Sequence, residues 1–209
     1  MTLRSGTRER TLFVARRWWA GAACLLAAAF LALAGASSGV RADGATSHFT
    51  FSMVASPGIS ACLPHARATV FVTTSSLNDE LTVQATGLAP NTGYDLFVIQ
   101  LPNKPFGVSW YQSDLETNSE GAGQASVRGI FNVETFSVSP GGPTVAFPPT
   151  HQYHLGLWFN NPEVPFALGC EPGQTAPSVT PFNGEQHAGI QVLNTANFPV
   201  GAGPLSQVP

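Results

Sequence analysis

Positive charge is scarce in this sequence, and most of it lies at one end. Six of the nine basic residues fall within the first 42 positions. Beyond them only Arg67, Lys104 and Arg128 stand against eleven acids, a formal net charge of −8 over 167 residues. Nucleic acid and anionic membranes are bound through clustered Lys and Arg, so neither is expected as a partner. Cysteine is rarer still, at three in the chain. Cys62 and Cys170 have no second pair nearby at metal-ligand spacing, which argues against a zinc site. Catalytic signatures are missing as well: beyond the first 42 residues there is no G-x-S-x-G elbow, and the chain has no HExxH and no Cys-His-Met set of the kind a blue-copper sandwich needs. Spacing singles out no two acids as the carboxylate pair of a glycosidase. No catalytic residue is therefore nominated, and a non-enzymatic role is the expectation.

What is present begins with an export signal. Arg4, Arg8, Arg10, Arg16 and Arg17 precede an apolar run over 18–34, followed by small and polar residues and Val40-Arg41-Ala42. These are the three regions of a secretory signal peptide, expected over 1–42 with cleavage after Ala42. A retained anchor is the rival reading, because the run is about as long as a short spanning helix. The residues around Arg16 and Arg17 (ARRWWAG) match a twin-arginine signal poorly, which points to the general secretory pathway and an extracellular product. No stable membrane insertion is expected after cleavage. Cys24 leaves with the leader, and in an oxidising compartment Cys62 and Cys170 are expected to pair. Two free thiols or an intermolecular bridge are the alternatives. An intramolecular bridge closes a loop of about 108 residues, worth about 4–5 kcal/mol by the chain-entropy relation.

The region 43–209 carries short β-rich runs separated by Gly, Pro and Asn, with no long helical periodicity. Strands are expected at 48–55, 67–74, 80–86, 94–100, 108–113, 124–131, 133–138, 153–159 and 189–195. Eight or nine strands suit an all-β, two-sheet sandwich in a single domain. SPGGPTVAFPPT (139–150) and the stretch 160–187 are expected to be long irregular surface loops rich in Pro and Gly. The tail GAGPLSQVP is expected to fray.

One short stretch is more specific. In LAPNTGY the spacing Leu88-x-Pro90-x-Thr92-x-Tyr94 resembles the tyrosine corner of fibronectin type III and immunoglobulin-like domains. The resemblance implies an immunoglobulin-like sandwich in which the Tyr94 hydroxyl bonds back to the upstream backbone and stiffens a crossover between sheets. It covers only about 13 residues. Too few residues precede it, and too many follow it, for a complete fibronectin module.

Several side chains are candidates for binding. Asp114, Glu116, Asn118 and Glu120 alternate before Gly121 and Gly123, which are expected to give left-handed backbone to a hairpin turn. On one continuing strand the four would share a face and form the one candidate oxygen set for calcium; otherwise no cofactor is expected. A solvated hairpin is the plainer reading. His151, His154 and His187 are the histidines to watch for a metal, although an offset of three on a strand puts the first two on opposite faces. Phe106, Trp110, Tyr111, Trp158 and Phe159 are the candidate ligand-binding aromatics. Adjacent aromatics on a strand face opposite ways, so one of each neighbouring pair should point outward. The expectation is a secreted binding or structural module with a protein or carbohydrate partner. A secreted hydrolase or a metal-binding protein using the region of His151, His154 and His187 is the alternative.

Overall fold

Alternation of apolar and polar residues sets the strands. The computed structural model describes residues 46–131, 133–134, 137–138, 145–146, 150–181 and 187–209; the expected leader and most of 139–149 lie outside these. In chain order the strands are β1 His48–Ala55, β2 Arg67–Thr73, β3 Asp79–Thr86, β4 Gly93–Ile99, β5 Ser109–Glu116, β6 Gly123–Gly129, β7 Val133–Glu134, β8 Ser137–Val138, β9 Val145–Ala146, β10 Thr150–His151, β11 His154–Phe159 and β12 Gln191–Asn194. A single short helix, α1 Glu163–Ala167, interrupts the loop after β11, where only irregular chain was expected.

Eight of these strands form one antiparallel sheet, ordered β5-β4-β11-β12-β1-β2-β3-β6. β1 makes the sheet continuous, since residues 48–53 pair with β2 while Val54 and Ala55 pair with β12. Its two halves share one core. Ala68, Val70, Val72, Leu81 and Val83 come from one half; Tyr94, Leu96, Leu155, Leu157, Phe159 and Val192 come from the other. The all-β expectation, the strand count and the bridge all hold, with Cys62 and Cys170 joined at a Cα separation of 5.0 Å. The segment expected to be one strand at 133–138 is instead part of two small ladders, β7 with β10 and β8 with β9.

The corner at 88–94 is closely tied down. Tyr94 is fully buried, packs on Phe159 at 5.0 Å between ring centroids, and its hydroxyl oxygen accepts the Ala89 N–H at 3.0 Å. Thr117 on the neighbouring turn lies 2.7 Å from the Ala89 carbonyl oxygen and accepts the Thr92 N–H at 2.9 Å. Thr92 in turn donates its hydroxyl to Pro90 O at 2.9 Å. Gly121 is left-handed at φ 72°, and a Cβ there would collide with the Leu88 carbonyl oxygen. Gly123 has no positive φ, contrary to expectation; it is needed because a Cβ would press on the Glu116 backbone and the Leu115 side chain.

The C-terminal tail corrects another expectation. It does not fray: Leu205 is fully buried in the core, Val208 is buried, and Leu205 N–H bonds Tyr153 O at 3.1 Å. One leucine in a polar stretch supplies that anchor through a short 3-10 turn, Pro204–Gln207.

Candidate functional site

The outer faces of the two halves differ in chemistry. On β3 and β6 the outward residues are solvated pairs: Thr82 with Ser126 at 2.8 Å, Gln84 with Gln124 at 3.2 Å, and Arg128 with Glu80 at 3.0 Å. On β4 and β11 the outward residues include Phe97, Ile99 and Trp158, and loop residues Phe106 and Ala188 pack against them in a second apolar cluster. This half therefore has a roof.

Two adjoining cavities lie under and beside that roof. One, of about 530 Å³, is aromatic and is lined by Phe97, Phe106 and Trp158. The other, of about 550 Å³, is the more polar of the two and is lined by Ser56, Asn103, Phe106, Glu171 and Gln191 together with apolar Pro57, Pro172 and Ile190 among others. Phe106 and Thr180 line both. Phe106 meets Trp158 edge-on at 4.9 Å, and Phe97 meets it at 5.3 Å.

The polar chamber is built by a chain of hydrogen bonds that starts at the backbone. Asn194 Oδ1 accepts the Ala196 N–H at 2.9 Å, which turns Asn194 Nδ2 toward Gln191 Oε1, also at 2.9 Å. Ser56 donates to the same Gln191 oxygen at 3.0 Å. Gln191 is thus held with its oxygen occupied, and its Nε2 has no partner among the described residues although the side chain is 8% exposed. Gly156 makes room for it, since a Cβ there would come 2.8 Å from Gln191 Nε2 and would also strike the Trp158 ring. Across the chamber the bridge at Cys170 fixes the next residue, Glu171. Its Oε2 accepts the Ser178 N–H at 3.0 Å, while its Oε1 is unpartnered at 9% exposure. Leaving a buried polar atom unpaired costs about 1–3 kcal/mol, and Glu171 and Gln191, which carry one such atom each, both line this cavity.

A second cluster lies beside the roof. Asp95 is paired across the strands with Asp114 on one side and with Trp158 on the other, and it is fully buried. Neither of its carboxylate oxygens receives a hydrogen bond from a described residue. Burial, and then the neighbouring Asp114 carboxyl and Glu116, push the Asp95 pKa up to about 6. With no donor among the described residues, burial and two neighbouring carboxyl groups together oppose the ionised form of Asp95. Tyr111 donates its hydroxyl to Asp114 Oδ1 at 2.8 Å, and burial followed by Asp114 raises its own pKa to about 12. Neither Asp95 nor Asp114 lines either of these two cavities.

The residues nominated from sequence scatter. Of the aromatics, Phe106 sits in the cleft and Trp158, 3% exposed, floors it; Trp110 and Tyr111 are exposed at 39% and 38%. Phe159 does not qualify, because it is fully buried beside Tyr94 on the inward face. The histidines do not assemble. His154 is buried; its Nε2–H donates to Val200 O at 3.0 Å, and its Nδ1 is 2.9 Å from the Thr195 hydroxyl, which also accepts the Leu155 N–H at 3.1 Å. Those bonds use both ring nitrogens of a neutral imidazole, and burial holds its pKa below the usual value. His151 is exposed and stacks on Tyr153 at 5.0 Å; His187 is also exposed. The calcium row breaks after Glu116, where Asn118 Oδ1 turns inward to accept the N–H groups of Glu120 and Ala122. Among the described residues no three His, Cys, Asp or Glu side chains are grouped to hold a metal ion.

No protein-family model matches this chain, and no curated protein matches it either. The site must therefore be read from its own chemistry. Asp95, Glu171, Gln191, Asn194 and Ser56 were not nominated from sequence. The one usable signal was the position of Glu171 directly after Cys170.

Proposed function

We propose that this protein is an exported, non-enzymatic binding module of the extracytoplasmic space, with its ligand held in the polar chamber between Glu171 and Gln191. The observation that carries this reading is the pair of unpartnered polar atoms of opposite hydrogen-bonding sense, Glu171 Oε1 and Gln191 Nε2, buried in two residues that line one cavity. A ligand with both a donor and an acceptor would satisfy them together. The Cys62–Cys170 bridge fits an oxidising compartment, and the charge pattern of 1–42 fits a cleaved leader. No helix of the described residues is long and apolar enough to cross a membrane. The bond from Ala89 to Tyr94 supports an immunoglobulin-like architecture.

The test is a thermal-shift survey of the oxidised protein against neutral sugars, peptides, lipids and nucleosides, with each ligand recovered afterwards. A ligand that binds only the native state raises the melting temperature, by an amount that grows with the logarithm of its concentration over its Kd. Stabilisation with the ligand recovered unchanged is the expected result. Recovery of a cleaved product would replace the binding module with a hydrolase.

A further inference from the structure

Resting on that reading, we infer that the polar chamber takes a neutral saccharide of one or two pyranose units. Its C–H face would lie on Phe106, and its adjacent hydroxyls would be shared between Glu171 Oε1 and Gln191 Nε2. Charge narrows the choice first. Among the described residues Lys104 and Glu171 are the only charged ones lining the chamber, so these offer neither the basic cluster a polyanion needs nor a second carboxylate for a metal cation. An apolar ligand would leave the carboxylate oxygen and the amide nitrogen buried and unpaired.

The remaining lining points to hydroxyls. Ser56, Ser178, Thr180, Asn103, Gln174 and Gln191 supply hydroxyl and carboxamide groups around the wall. Each carries both donor and acceptor capacity. A sugar hydroxyl matches this because it donates and accepts at once, so one hydroxyl or two neighbours can give a proton to Glu171 while receiving one from Gln191. A peptide strand places its polar atoms in one plane and relies on an open sheet edge, and this chamber contains none. The aromatic ring of Phe106, half-buried between the two chambers, is the flat apolar surface that a pyranose C–H face requires. A cavity of about 550 Å³ lies within the usual size range of small-ligand sites.

The experiment is amide NMR of the oxidised protein titrated with soluble gluco-, manno- and galacto-oligosaccharides, beside an uncharged peptide mixture and an oligouronate. At least one neutral sugar series is expected to move the amides of Gly58, Glu171, Ile190 and Gln191, and the oligouronate to leave them unmoved. Glu171→Gln and Gln191→Leu are each expected to weaken binding by about tenfold, the loss that follows when a buried partner is left unpaired. Because both side chains also brace their loops, Gln174→Trp provides the second variant. It blocks the chamber from an exposed position, away from the buried network, and should abolish binding with the amides of β2 and β3 unchanged. If peptides move these amides and sugars do not, the saccharide is overturned while the binding chamber stands. Equal binding of the oligouronate overturns the neutral class. If no probe moves them, both the saccharide and the binding module fall.

Discussion

Asp95 and Asp114 occupy directly paired positions on β4 and β5, and the first is fully buried with no hydrogen-bond donor for its carboxylate among the described residues. Its pKa of about 6 stands above the ordinary carboxylate value, so between about pH 4 and 6 the native state binds more protons than the unfolded chain. Stability is therefore greatest at and below about pH 4 as far as this group is concerned, falls as pH rises through that window, and stays low above it. Asp95→Asn should remove the fall and stabilise the protein near pH 7 by up to about 3 kcal/mol, two pKa units' worth. Urea melts from pH 4 to 8 test this. A wild-type profile that matches the Asn variant would sink it.

His154 contributes with the opposite sign. Its folded pKa is lowered by burial, so the native state resists taking a proton that the unfolded chain accepts below about pH 6.5. Stability from this group is complete above that value and is lost as pH falls below it. The Asp95→Asn variant isolates the effect, and titration of the His154 ring resonances should show a midpoint below that of an ordinary imidazole, with the Nε2–H tautomer above it.

Tyr94→Phe keeps the ring in the core and removes the acceptor of the Ala89 N–H. The buried donor is left unpaired, and the expected loss is about 1–3 kcal/mol in denaturant unfolding. A neutral result would mean the corner is held by packing and Thr117 alone.

Replacing both Cys62 and Cys170 with Ser should cost about 4–5 kcal/mol by the chain-entropy relation. It should also broaden the amides of the loop that carries Glu171, since the bridge is covalently adjacent to that residue. Unchanged amides there would show that the Ser178 contact suffices to hold the loop.

Gly156→Ala puts a Cβ into the Trp158 ring and against Gln191 Nε2. Both neighbours are buried, so relief requires moving the floor of the cleft, at an overpacking cost of about 1–3 kcal/mol. Tryptophan fluorescence and calorimetry would report it; an unaltered spectrum and melting temperature would contradict the tight packing.

Most of the strands were legible because one face of each is buried. In β2, Ala68, Val70 and Val72 point inward and Arg67 and Phe71 outward, a period of two that needs no tertiary information. In YDLFVI that signal is blurred, because the outer face is roofed as well and Asp95 sits buried in an apolar run. For Trp158 and Phe159 the sequence showed that they face opposite ways, but not which one meets the core. Register decides that: Phe159 lies opposite Tyr94, and Trp158 opposite Asp95. The chamber was hidden for a different reason. Glu171 and Gln191 stand on a loop and on β12, joined only through a bridge that spans 108 positions and a network that begins at Ala196.

The strand order has a consequence for how molecules of this protein meet one another. The sheet begins with β5 and ends with β6, which are successive in the chain and bridge each other at Thr117 and Gly123. Both open margins of the eight-strand sheet are thus gathered at one hairpin, whose mouth is closed by its own turn. The acidic Asp114 and Glu116 on one margin, with Glu120 in the turn, oppose the docking of a strand from another molecule there. The hairpin that anchors the tyrosine corner thus also carries charges that guard the open edge of the sheet.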